Sequence, residues 1–333
     1  MKQRDISIDI LKCLAAIVVT NSHMELLYGD YSILATGGAI GDVLFFFCSG
    51  YTLLIGRDAS FFNWYKRRIN RIYPTIFALA LVSALIFGIH RDMPTILMSG
   101  GGWFVSCIMI YYIVLWFVKR YATDKLMGVF GVAIATVIVW YAMFGFGEQS
   151  HNNMYGNTYF KWCHYFLFML LGASVGLRRY RMKDEELSYP PQLSIWRILI
   201  MLIISIISFY GLFWFNNREG LLWDSLQMMS LVPLAGVCWY FYQLCNTDTL
   251  TRAYNHKIIG PSIRFIGGLC LEIYLIQRSL YTDKMNGVFP LNIIIMFLII
   301  LVAAYLLRCV ARVWAQTFKD DNYDWRAIIK PYN

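Results

Sequence analysis

Residues 5–24 read DISIDILKCLAAIVVTNSHM, an apolar run with Asp5, Asp9, Lys12 and His23 set into it. The length suits a membrane, because about 17 to 25 mainly apolar residues cross roughly 30 Å of hydrocarbon as a helix. The polar residues give the helix a direction. Each residue advances about 100°, so Asp9 to Lys12 is one turn, and the eleven residues from Lys12 to His23 return to within about 20° of the same heading. Asp5, Asp9, Lys12 and His23 therefore share one stripe, which must face other helices or a watery cavity rather than lipid. At about 1.5 Å per residue, His23 lies roughly 16 Å further across the membrane than Lys12. Charges within the run and the lack of a small-residue cleavage site argue against a cleavable signal sequence.

The rest of the chain has the same character. Of 333 residues, 59% are hydrophobic and only 15% charged, which excludes an ordinary soluble globule. Ten segments have the length and polarity of spans: 7–27, 36–56, 74–90, 103–118, 126–146, 160–177, 194–215, 223–245, 264–281 and 288–310. The expectation is an all-α integral membrane bundle of about ten transmembrane helices. It forms a single domain over 1–333, with its polar core from helices in 1–120 and no appended soluble domain. Lys and Arg crowd the even loops (Lys119, Arg120, Arg178, Arg179 and Arg181 among them), whereas the odd loops hold little beyond Arg91, Lys161, Arg218 and Lys284. That asymmetry predicts that both termini are cytoplasmic. The +9 net charge then meets anionic lipid on one face, and nothing suggests a nucleic-acid groove. The eight cysteines fall in or at the ends of apolar segments and read as small buried hydrophobes; no paired spacing suggests disulfides, and no CxxC suggests a metal.

The densest charge is in NWYKRRINRIYP, residues 63–74, where Lys66, Arg67, Arg68 and Arg71 fall within six positions between two apolar segments. Two readings are open: an anchor for cytoplasmic orientation, or a grip on a phosphorylated ligand. His23 has two readings as well, a helix-terminating interfacial residue or a catalytic imidazole. Asp9 and Lys12 read either as a neutralising intrahelical pair or as functional groups. His90 and His256 are expected in solvated loops, and His151 and His164 on the outer side, with packing favoured for His164.

Three blocks, taken in order, resemble the membrane-bound acyltransferase family 3, which O-acylates bacterial surface glycans and some small molecules. The first is Asp9, then Lys12 with ten residues before His23. The second is Gly41, Phe45, Phe46, Ser49 and Gly50 in GDVLFFFCSGY. The third is Arg67, Arg68, Arg71, Ile72 and Pro74. Softer echoes follow in WFVSCIMIYY and WCHYFLFMLLGASVG. The sequence departs from the family pattern in three places. Asp42 stands one position earlier than the usual Asp, about 100° around a helix. Gln277 ends the IYLIQ stretch where a His is common, and Glu272 replaces a small hydroxyl residue.

The resemblance implies an enzyme that moves an acyl group, by default acetyl, from cytosolic acyl-CoA to a hydroxyl of a surface polysaccharide or lipid-linked glycan. Acetyl-CoA or another acyl-CoA is then the donor, and no metal is required. His23 is implied as base or acyl relay, with Asp9 and Lys12 beside the donor path and Arg67, Arg68 and Arg71 on its phosphates. The bacterial cytoplasmic membrane is the expected location. Transfer would finish within the membrane unit or with a separate partner. A transporter or flippase for a glycan or lipid-linked substrate is the competing reading. Its usual signs are internal repeats and correspondingly broken spans, and neither is visible by eye.

Overall fold

The computed structural model describes residues 5–144, 159–184, 193–219 and 227–332, so His151 lies outside the described residues. Fifteen α-helices and no strand occur among them. In chain order these are α1 (Ile6–Ser22), α2 (Glu25–Tyr28), α3 (Gly38–Leu53), α4 (Phe61–Phe87), α5 (Met93–Ser99), α6 (Gly102–Tyr121), α7 (Leu126–Phe144) and α8 (Phe160–Asp184). Then follow α9 (Ile195–Glu219), α10 (Leu231–Cys245), α11 (Asp248–Asn255), α12 (Ile259–Gly268), α13 (Cys270–Ile276), α14 (Leu291–Thr317) and α15 (Trp325–Ile329). The all-α membrane class is as the sequence predicts. Among the described residues, seven helices are long and apolar enough to cross a membrane, and two bent pairs bring the number to nine. The predicted span at 36–56 is the one that falls short. Its helix α3 has 16 residues, about 24 Å at 1.5 Å per residue.

The chain divides into two compact units, each drawn from several stretches of sequence. The first holds the start of α1, most of α3, and α7 to α11. Here α10 lies along α9, and α7 along α8. Helices α3 and α8 meet backbone to backbone. A Cβ on Gly172 would strike the Phe47 carbonyl, one on Gly176 the Tyr51 carbonyl, and one on Gly50 the Met169 carbonyl. Gly172 and Gly176 are four apart and so share a face, the small-residue spacing that lets membrane helices approach closely when lipid offers no hydrophobic drive. One end of the unit carries a polar knot. The Tyr51 hydroxyl donates to Asp5 Oδ2 at 2.6 Å, and Arg179 Nε lies 3.7 Å from the same oxygen. Arg179 Nη1 also donates to the Tyr242 hydroxyl at 3.0 Å.

The second unit holds most of α1 with α2, α4, α5, most of α6, and α12 to α15. Two of its spans are broken. Helix α1 ends in Thr20, Asn21 and Ser22, whose side chains compete for backbone groups: Thr20 Oγ1 donates to the Ala16 carbonyl and Ser22 Oγ to that of Val19. The chain turns at His23 and Met24 and resumes as α2 and a 3₁₀ turn, bent by 64° from α1. Asn21 spans the turn; its Nδ2 donates to the Leu34 and Thr36 carbonyls, both at 2.9 Å, and its Oδ1 accepts from Tyr28. Fully buried Asn292 donates to the Leu27 carbonyl at 2.8 Å. The second break, of 58°, separates α12 from α13 just after Gly267 and Gly268, the kind of small-residue pair at which helices kink.

An ion pair supports that second break. Arg308, buried on α14, donates from Nε to Glu272 Oε1 at 3.1 Å and from Nη2 to Oε2 at 2.8 Å. Its Nη2 also reaches the Gly268 carbonyl, a group at the end of α12 with no helical partner of its own. Guanidinium and carboxylate side chains are 8% and 9% exposed, so each charge depends on the other.

The basic stretch differs from expectation. The sequence puts residues 66–71 in the loop ahead of a span at 74–90, with Arg68 and Arg71 on one side of a helix start; the helical placement holds, but the helix begins earlier, and α4 runs unbroken from Phe61 to Phe87 with Pro74 inside it. Trp64, Ile72, Thr75, Ile76 and Leu79 make a buried face at helical spacing, and Phe77 stacks on Trp314 of α14 at 5.7 Å. That packing outweighs one missing N–H, as membrane helices tolerate proline when neighbours support them. Lys161, predicted as an outer-loop cation, is instead buried in the first turn of α8, 5% exposed.

Two substitutions test the packing. Gly172→Ala should lower thermal stability in detergent by roughly 1–3 kcal/mol through overpacking, whereas Gly211→Ala, with nothing within 4 Å of its added carbon, should be neutral or mildly stabilising. Glu272→Gln and Arg308→Met should each cost about 3–5 kcal/mol by leaving one buried charge uncompensated, and the double change Glu272→Leu with Arg308→Met should recover much of the loss. A double variant no more stable than either single one would disprove the pairing argument.

Candidate active site

The sequence candidates divide between the two units. Asp9 belongs to the first, while Lys12, His23, Arg67, Arg68 and Arg71 belong to the second. Asp9 is 5% exposed and accepts the Tyr254 hydroxyl at 2.8 Å. Lys12 is half-buried and makes no ion pair among the described residues, so the neutralising pair with Asp9, one of the two readings of the sequence, does not form. The Cys270 Sγ lies 3.4 Å from the Lys12 carbonyl oxygen, which brings α13 against this part of α1.

His23 stands at the break between α1 and α2. Its backbone N–H donates to the Thr20 carbonyl at 3.2 Å, the weak closing bond of a helix end. The side chain is half-buried, no described residue hydrogen-bonds to its ring, and the Arg278 guanidinium is a charged neighbour. A helix end is a suitable place for a working imidazole, since the ring leaves the helical stack without strain and keeps both nitrogens available. Around the Thr20 carbonyl the second unit builds a small polar cluster. The Tyr281 hydroxyl lies 3.3 Å from Thr20 O and 3.2 Å from Gln277 Oε1, sharing its proton between them.

The cations lie on α4. Arg68 is i+4 from Trp64, and its guanidinium lies 4.6 Å from the Trp64 ring centroid and 5.5 Å from that of Tyr112. Trp64 is itself fixed, donating Nε1–H to the Tyr112 carbonyl of α6 at 3.1 Å. Two aromatic faces thus hold the Arg68 cation in place, while its Nε is buried without a hydrogen-bond partner. Arg67 and Arg71 are exposed on the same helix, and both act on Arg68 as like charges. Three mutually repelling guanidinium groups, one of them with an unmet donor, form a local field that an anion would relieve.

The other flagged residues have structural partners. Asp42 on α3 takes a hydrogen bond from Tyr165 and faces Lys161, all three in the first unit. His164 is fully buried, its ring centroid 4.0 Å from that of Tyr165 and 6.4 Å from that of Phe168. His90 and His256 are exposed. The sequence reading passed over Arg308, Tyr254 and Tyr281. Arg308 was the legible one, a lone cation inside the last apolar segment that needs a partner such as Glu272.

No curated protein and no solved structure matches this chain. The family model for acyltransferase family 3, described as an acyltransferase domain, matches residues 5–310. That span contains the His23 break, the α4 cations and the α12–α13 break, and the chain belongs to acyltransferase family 3, a multi-pass membrane acyltransferase.

Proposed function

We propose that the protein is an acyl-CoA-dependent O-acyltransferase of the bacterial cytoplasmic membrane. It would carry an acyl group, acetyl in the simplest case, from cytosolic acyl-CoA to a hydroxyl of a surface polysaccharide or lipid-linked glycan. The observation that carries this reading is His23, an imidazole at a helix break with no described side chain bonded to its ring. In the reaction, the acceptor oxygen attacks the thioester carbonyl carbon while His23 takes the hydroxyl proton. The C–O bond forms, the C–S bond breaks, and the leaving thiolate recovers the proton from His23 as free thiol.

The donor end follows from charge. Acyl-CoA carries phosphate groups, and Arg67, Arg68 and Arg71 supply planar donors suited to them. The axial distance of roughly 16 Å between Lys12 and His23 on one helix separates the half of α1 that contains Asp9 and Lys12 from the imidazole. We assign Asp9 and Lys12 to the polar path between the cytosolic mouth and the reacting thioester. The transporter reading gains the two broken spans that the sequence did not disclose. The breaks, at residues 23–24 and 269, fall near the start of the first half of the chain and past the middle of the second, which are not the corresponding positions of paired repeats.

His23→Ala should insert and fold normally and lose acyl transfer by about 10²–10⁴-fold; near-normal turnover would end its assignment as base or relay. Replacing Arg68 and Arg71 together by Lys preserves charge, and so orientation, but removes the planar fork. Apparent acyl-CoA affinity should drop by roughly 5- to 150-fold, corresponding to about 1–3 kcal/mol for a charged hydrogen bond. Unchanged affinity would leave the cluster as a topology anchor. Substrate flux in liposomes without acyl-CoA turnover would favour the transporter instead.

A further inference from the structure

Gln277 is fully buried, at the point where α13 passes into a 3₁₀ turn. Its carboxamide is half used. Oε1 accepts the Tyr281 hydroxyl at 3.2 Å, but Nε2, which carries two N–H donors, has no hydrogen-bond partner. Buried polar groups are nearly always satisfied, and an exception calls for an explanation. Leaving such a donor dry is unfavourable unless something arrives to accept from it.

The surroundings suggest what arrives. Tyr281 ties the Gln277 carboxamide to the Thr20 carbonyl at 3.3 Å, and that carbonyl also accepts the His23 N–H at 3.2 Å. The unmet amide and the candidate base therefore belong to one hydrogen-bonded cluster in one compact unit. A neutral N–H donor held in the cluster that also ties down the backbone of the candidate base is what a thioester carbonyl needs as its oxygen gains charge. Fixing Oε1 through Tyr281 also fixes the plane of the amide, so the donor does not have to be ordered when substrate binds.

We propose that Gln277 is a catalytic residue whose Nε2–H donates to the acyl carbonyl oxygen of the bound donor, with Tyr281 as its positioning residue. The inference rests on the acyl-transfer reading and assigns that site its oxyanion donor. When an oxygen nucleophile, water or an acceptor hydroxyl, bonds to the carbonyl carbon, the π pair moves onto the carbonyl oxygen and Gln277 stabilises it. The pair returns as the C–S bond breaks, and the proton passes from the nucleophile through His23 to the departing sulfur. Gln277 neither gains nor loses a proton.

The test uses the purified full chain in detergent with acetyl-CoA as probe, following thiol release with water as the acceptor. Gln277→Met keeps the length of the side chain and removes its donor. Its kcat should fall by about 10²–10³-fold, the scale for loss of one oxyanion donor, while apparent KM for acetyl-CoA stays within about threefold and the thermal midpoint is not lowered. A folded variant with kcat within threefold of wild type overturns the proposal. Tyr281→Phe leaves the carboxamide in place but unanchored, and should lower kcat by about tenfold at constant KM. It carries the test alone if the Met variant fails to fold, and unchanged kcat there also overturns it. Wild-type protein that neither cleaves acetyl-CoA nor transfers its acyl group would defeat the reaction itself, whereas active wild type with insensitive Gln277 and Tyr281 variants would defeat only this assignment.

Discussion

Inside hydrocarbon a peptide group has no water to bond, so any departure from continuous helix has to be made good by the protein's own side chains. The second unit departs twice, and its polar residues are distributed accordingly. Asn21, Asn286 and Asn292 bond carbonyls of the segment that follows the first break. Arg308 supports the second break through Gly268 while paired to Glu272. Each break of this unit is thus matched by polar side chains that bond its backbone; His23 stands at the first break, and Gln277 ends the helix that follows the second.

The first unit obeys the same rule, and no helix break of this kind falls among its described residues. Its tight contact is made of carbonyls and glycines along α3 and α8, and at one end Asp5, Tyr51 and Arg179 satisfy one another. Tyr254 satisfies Asp9 from α11.

Much of this was legible in the sequence. The apolar segments, the polar stripe of α1 and the end of that helix near His23 all follow from periodicity and cost, and the ordered blocks pointed to the family that matches residues 5–310. The breaks were less legible. Nothing in TNSHM states an angle, and a Gly pair permits a kink without requiring one; the 58° bend at Gly267 and Gly268 depends on Arg308, which is 40 residues away from Gly268. The early start of the helix through the basic stretch was hidden for a related reason. Pro74 reads locally as a helix start, and only the packing of Trp64, Ile72 and Ile76 shows that the helix began earlier. Partners such as Tyr254 for Asp9, 245 residues apart, have no local signal at all.

Placing Arg67, Arg68 and Arg71 on a helix rather than in a loop changes the entropy of anything they hold. A basic loop is a cloud of charge whose backbone and long side chains must all be ordered by the ligand, at about 0.5–1.5 kcal/mol for each immobilised side chain. On α4 the backbone is already fixed, and the Trp64 and Tyr112 rings have already narrowed the choices open to Arg68. An anion meeting this helix finds its field preassembled, so more of the Coulomb attraction survives as affinity and less is spent on restraining the chain.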